Sequence, residues 1–253
     1  MATEHEVRRT DGTVLEPAAF LPSVEASPLV CDLDIEMLRQ SLHILDGLPA
    51  GQFVSVNVTA RTLAAPEVPQ KMHALIVESG VDARRLHLEA TETSLLAAST
   101  PVREAMTLLA STGARWYVDD FGTGYSSISH LRDLPISGLK LDASFTAGVA
   151  RGDETSIRLA QALAGLSQGL GLETVAEGVE GQREEAVLAA QGWRYGQGWL
   201  FGRAEAEPRT QLASAAPIRR PRIAYLPRHS APMRLMCWRP GGETAWSHGR
   251  TGR

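Results

Sequence analysis

Apolar positions along this chain follow two rhythms. Short runs rich in β-branched and aromatic residues occur at 52–58 (QFVSVNV), 85–91 (RLHLEAT), 114–120 (ARWYVDD), 138–142 (GLKLD), 172–179 (LETVAEGV) and 195–201 (YGQGWLF). Their length and composition predict strands. Longer stretches between them, among them 32–45, 67–80 and 154–171, repeat apolar residues at helical spacing. In the last of these Ile157, Ala160, Leu163 and Ala164 share one face, and Gly169 and Gly171 mark its end. Strand and helix alternate, which predicts parallel strands joined by helical crossovers.

Six strands are clear, and a stub near "EHEVRR" (4–9) is a further candidate. A closed barrel of eight strand–helix units takes about 250 residues. The expected fold is therefore α/β, a TIM-type (β/α) barrel that lacks its first strand on the amino-terminal side. A doubly wound sheet is the alternative. No GxGxxG or Walker-type loop follows any predicted strand, which weighs against it. After Pro208 the periodicity stops, and Arg, Pro and Gly dominate. Residues 1–206 are read as one barrel domain and 207–253 as a flexible tail.

Charge sharpens this division. The chain of 253 residues carries a net charge of −4. Residues 217–253 hold eight Arg and one acid, Glu243, a balance of +7 that leaves −11 for residues 1–216. An acidic body does not suit duplex nucleic acid, but it accommodates an anionic ligand if a divalent cation comes between. No apolar run approaches the roughly 20 residues that a bilayer span needs. The first ten residues lack the apolar core of a signal peptide. Cys31 and Cys237 lie far apart without CxxC spacing, which points to a reducing, cytoplasmic setting.

The carboxyl ends of the predicted strands carry the candidate chemistry. Asn57 follows VSV, Glu89 follows LHL, Asp119 and Asp120 follow WYV, Lys140 lies in LKLD, Glu177 follows TVA and Gln197 opens QGWLF. In a barrel those ends converge on one mouth. Taken singly, Asn57 reads as a turn former and Glu89 as a solvated strand end. The Asp119–Asp120 pair is harder to explain without a cation beside it, and hard cations such as Mg²⁺ favour all-oxygen sites. Lys140 is one of two Lys among 23 Arg. That contrast points to a site needing a compact ammonium, although a Lys snorkelling from a strand end is the plain alternative. "GTGYSS" (122–127) reads as a phosphate cradle or a mobile lid.

The blocks "VDDFGTGYSSISHLRDLPISGLKLDASF", "ETVAEGVEGQREEAVLAAQGWRYGQGWLFGRA", "VSVNVTARTL" and "LHLEATETSLL" closely resemble the EAL-domain family of cyclic di-GMP phosphodiesterases. The resemblance runs over about residues 4–206. It implies a modified TIM barrel that uses Mg²⁺ or Mn²⁺, in a two-metal site, to hydrolyse cyclic di-GMP to linear 5′-pGpG. Carried over by position, it implies Asn57, Glu89, Asp119 and Asp120 as metal ligands and Lys140, Glu177 and Asp120 in catalysis. Arg8, Glu180 and Gln197 would contact substrate. Glu92 would order a lid of Phe121, Gly122, Thr123, Gly124 and Ser126. A homodimer is one assembly that the resemblance allows.

The chain departs from the family at its amino terminus. If Arg8 is the arginine of the EALxR pattern, Glu4 is the metal-binding glutamate. If "EV" opens an EVL-type variant, it is Glu6, the preferred reading. The strand that precedes the EAL motif in the family has no counterpart here. Loss of turnover, leaving a cyclic di-GMP-binding or regulatory module, is the alternative function.

Overall fold

The computed structural model describes residues 7–8, 14–15, 17–96, 99–123, 131, 133–202 and 223–226. The chain opens with β1 (Val7–Arg8), β2 (Val14–Leu15), α1 (Pro17–Glu25) and α2 (Leu29–Gly47). Next come β3 (Phe53–Asn57), α3 (Ala60–Ala64), α4 (Val68–Ser79), β4 (Leu86–Thr91), α5 (Glu92–Leu96) and α6 (Thr100–Ala110). The rest comprises β5 (Arg115–Phe121), β6 (Ile136–Leu141), α7 (Ala143–Arg151), α8 (Glu154–Gly169), β7 (Glu173–Ala176), α9 (Gln182–Ala190), β8 (Tyr195–Gly196) and β9 (Ile223–Leu226).

Local chemistry explains many of the boundaries. Thr59 caps α3 by accepting from the Thr62 N–H, and Asp153 caps α8 through Thr155 and Ser156. Gly80, at φ 68°, ends α4 in the left-handed conformation that glycine takes without a steric cost.

β3 to β8 pair in parallel, each with its sequence neighbour, as crossover units require. One row of side chains on each strand faces the helices. Val54, Val56, Leu86, Leu88, Trp116, Val118 and Leu139 bury against Leu38, Leu45, Met72, Ile76, Met106 and Leu109. Each such side chain contributes about 1.5–3 kcal/mol. The Trp116 indole N–H is satisfied by the Met106 carbonyl of α6 at 3.0 Å. The alternate row points into the concave side. There Phe53, His87 and Tyr117 stack across three strands, with centroids 4.0 and 4.5 Å apart. These rings fill the end where the strands begin. The Tyr117 hydroxyl donates to Glu173 at 2.7 Å, and Arg115 reaches the same carboxylate at 3.3 Å. The result is the sequence-predicted TIM-type barrel in partial form, a curled parallel sheet wrapped by helices. Among the described residues no helix is long and apolar enough to cross a membrane.

Three expectations change. The stub near "EHEVRR" is not a barrel strand: Val7 and Arg8 pair antiparallel with Leu15 and Val14 in a separate two-stranded sheet. A local hairpin partner a few residues away is entropically cheaper to reach than a distant sheet edge. Within the stretch read as a flexible tail, Ile223–Leu226 forms a strand parallel to β3, with Phe53 opposite Ile223. "IAYL" is a short β-prone run between Pro221 and Pro227, too brief to register as a period. The strand predicted at 195–201 stops after Gly196. Beyond it the backbone folds over the end of β7, where Gln197 N–H donates to Ala176 O and Leu200 N–H to Val179 O.

Candidate active site

Lys140 is fully buried, and its ammonium is the hub of the concave face. Nζ lies 2.6 Å from Glu177 Oε1, 2.8 Å from Glu89 Oε2 and 2.9 Å from Asp119 Oδ1. The Glu177 contact is a charge contact rather than an aligned hydrogen bond. These groups come from β4, β5, β6 and the residue after β7, so only inward-facing positions on a curved sheet bring them together. Asn57, at the end of β3, is buried and registers directly against Glu89.

Neighbouring residues on a regular strand point to opposite faces, yet Asp119 and Asp120 both serve this cluster. The β5–β6 register shifts between Val118 and Phe121, and Asp120 adopts φ 54°. A left-handed residue inside a bulge re-aims its side chain. Carboxylate oxygens of Asp119, Asp120 and Glu177 consequently lie within 4.8 Å of one another. The conformation costs a non-glycine residue about 1 kcal/mol, a strain typical of functional sites.

Full ionisation of these acids would leave the cluster negative, and their protons are held accordingly. Burial raises Glu89 to about 7 and Glu177 to about 8, against the downward pull of Lys140 and with Asp119 pushing further up. Burial also raises Asp120, helped by Asp119 and by Asp142. One ammonium therefore does not neutralise the acids gathered around it. An additional cation fits this donor set, which is all oxygen and partly open at Asp120 and Glu177.

Other expected residues divide. Glu92 is buried, and its Oε2 accepts from the Gly122 N–H at 2.8 Å, so it anchors the turn after β5. Phe121 is not a loop residue: it ends β5 and packs in the core. The register shift before it turns its side chain toward the helices. Thr123 closes the turn on the Asp120 carbonyl. Gln197 is buried beside the end of β7, and among the described residues its Oε1 has no hydrogen-bond partner. Glu180 is not drawn into the cluster. Its side chain is exposed, because Glu184 takes the Glu180 N–H and turns the chain toward α9. Arg8 belongs to the separate hairpin. Glu4, Glu6, Gly124 and Ser126 lie outside the described residues. Asp142 was missed. It faces Asp120, and its position two residues after Lys140 in LKLD, on the same side of the strand, was the available signal. It also caps α7, accepting from the Ser144 N–H at 3.0 Å, and such a cap role hides a site acid in plain sequence.

A sequence profile described as EAL domain matches residues 5–204. The chain belongs to the EAL domain family. A probable cyclic di-GMP phosphodiesterase, PdeB of Escherichia coli, is 33% identical over 201 residues, 78% of this EAL chain and 37% of the relative. A cyclic di-GMP phosphodiesterase of Pseudomonas aeruginosa is 34% identical over 190 residues, 74% of this chain and 32% of the relative. The EAL chain thus spans only about a third of those relatives. Among solved structures, the PaMucR phosphodiesterase in complex with c-di-GMP superposes with a TM-score of 0.70 at 29% identity, covering 75% of this chain and 84% of that one.

Proposed function

We propose that this domain hydrolyses cyclic di-GMP to linear 5′-pGpG with the help of Mg²⁺ or Mn²⁺. The observation that carries the reading is the buried convergence of Glu89, Asp119 and Glu177 on Lys140, with Asp120 bent in beside them. Asn57, Glu89, Asp119 and Asp120 would hold the cation, and Asp142 would support Asp120. A bound divalent ion supplies Lewis-acid charge and lowers the pKa of water toward about 7.

The protein groups have separable tasks. Lys140 keeps three carboxylates in one place and offers positive charge toward a phosphate. Burial raises the Glu177 carboxyl to about 8; a cation bound beside it would favour its ionised form, and the carboxylate would then take a proton from attacking water. Water oxygen would bond to phosphorus as the P–O3′ bond breaks, the water proton passing to Glu177 and the released 3′ oxygen taking a proton from solvent water to end as a hydroxyl. Gln197 Oε1, without a partner among the described residues, would accept from a guanine or ribose donor of the ligand. Relatives named as cyclic di-GMP phosphodiesterases support the substrate.

One observation favours binding without turnover. Among the described residues the outer neighbour of β3 is β9, and its sequence Ile-Ala-Tyr-Leu contains no acidic residue. Incubation with cyclic di-GMP and each metal, followed by chromatography of the nucleotides, separates the readings. Formation of 5′-pGpG that is abolished by Glu89→Ala or Asp119→Ala is the expected result; saturable binding with no product would support the binding module instead.

A further inference from the structure

We infer that Asp34, a residue of α2 outside the carboxylate cluster, is a positioning residue for Asn57. The inference rests on the reading of Asn57 as a cation ligand. Asp34 is 2% exposed, and its Oδ2 accepts three hydrogen bonds: from Thr59 N–H at 2.8 Å, Thr59 Oγ1 at 2.9 Å and Thr62 Oγ1 at 2.7 Å. Thr59 lies two residues after Asn57 and caps α3. On the other side, Val58 N–H donates to Glu89 O at 2.8 Å.

The segment 57–59 is therefore gripped from both directions. β4 holds it through Val58, and α2 holds it through Thr59. Three donors on one buried carboxylate oxygen are more than a helix cap alone requires. Asn57 immediately precedes these two anchored residues, and it registers directly against Glu89. Rotation of this turn would swing the Asn57 carboxamide away from the mouth. Asp34 fixes that rotation from α2.

The test uses the full chain, Mn²⁺ as probe, and two readouts. Isothermal titration gives the Mn²⁺ affinity of the wild type, Asn57→Ala, Asp34→Asn and the double variant. Loss of a residue supporting a ligand typically weakens metal binding about 10–100-fold. Asp34→Asn is expected to weaken Mn²⁺ by about tenfold, and the double variant to bind no worse than Asn57→Ala alone, since both act through one side chain. In cation-free ¹⁵N-labelled protein, Asp34→Asn should also shift the Asn57 side-chain amide signals. A general loss of stability would move neither readout in the folded protein. Wild-type affinity with unshifted Asn57 signals, or multiplying losses in the double variant, would overturn the assignment. If Asn57→Ala alone leaves Mn²⁺ binding intact, the ligand reading fails, while the amide shift still judges the Asp34 link. Should Asp34→Asn not fold, Thr62→Val removes one of the three donors and is read the same way.

Discussion

Burial pushes the Glu177 carboxyl up to about 8 although the Lys140 ammonium stands 2.6 Å from its Oε1. An adjacent cation normally makes a carboxyl more acidic. Burial and the neighbouring Asp119 outweigh it here, so the cluster is electrostatically under-compensated.

Removing Lys140 should aggravate that deficit. Stripping one partner from a buried ion pair costs about 3–5 kcal/mol. Lys140→Met is expected to lower the thermal midpoint of cation-free protein by about 10 °C at neutral pH, as followed by circular dichroism. Millimolar Mn²⁺ should recover part of the loss. An unchanged midpoint would mean that the ammonium adds nothing to the folded state.

Stability should also depend on pH with a definite sign. Glu89 and Glu177 have ordinary values of 4.5 and hold protons in the fold to about 7 and 8. Between those limits the folded chain binds more protons than the unfolded one, so stability falls as pH rises. Each group contributes up to about 1.4 kcal/mol per pH unit. His87 acts in the opposite sense. Burial keeps it neutral, with Arg115 and Lys140 adding to the effect, so its contribution is lost as pH falls below the usual 6.5. Urea melts in EDTA should show the steepest decline between pH 6.5 and 8, where His87 no longer opposes it. Mn²⁺ should flatten that slope, and a rise in stability over the same interval would contradict the charge balance.

Gly138 faces the ring of Tyr117, and an added Cβ would lie 2.4 Å from a ring carbon. The ring cannot retreat, being stacked on His87 and tied to Glu173. Gly138→Ala is expected to destabilise by at least about 1–3 kcal/mol, read from denaturant midpoints. Pairing it with Tyr117→Leu should restore much of the loss.

Glu92 anchors the turn after β5 through the Gly122 N–H. Glu92→Ala should speed hydrogen exchange at Gly122 by about tenfold or more, and Glu92→Gln, which keeps an acceptor, by less. Exchange measured by mass spectrometry decides this, and equal rates in all three proteins would remove Glu92 from the role.

Much of this site was visible in the alternation of residues alone. Strand ends placed Asn57, Glu89, Asp119, Lys140 and Glu177 on one rim, because a period of two and parallel pairing leave little freedom. What escaped was backbone irregularity. The pairing shift and positive φ that let Asp119 and Asp120 converge have no signature in a local pattern, and they also returned Phe121 to the core. Asp142 hid behind its cap role. Glu180 was carried over by resemblance and lies exposed, since the turn after Val179 is set by Glu184. β9 arises from a contact between residues 53 and 223, a pairing that no window of sequence contains.

The rings of Phe53, His87 and Tyr117 have a kinetic consequence. Among the described residues these aromatic side chains plug the concave face where the strands begin, so a ligand of the acidic cluster is expected to come and go at the carboxyl ends of the strands. On the proposed function, cyclic substrate and linear product would share that side of the sheet, and departure of one would compete with arrival of the other.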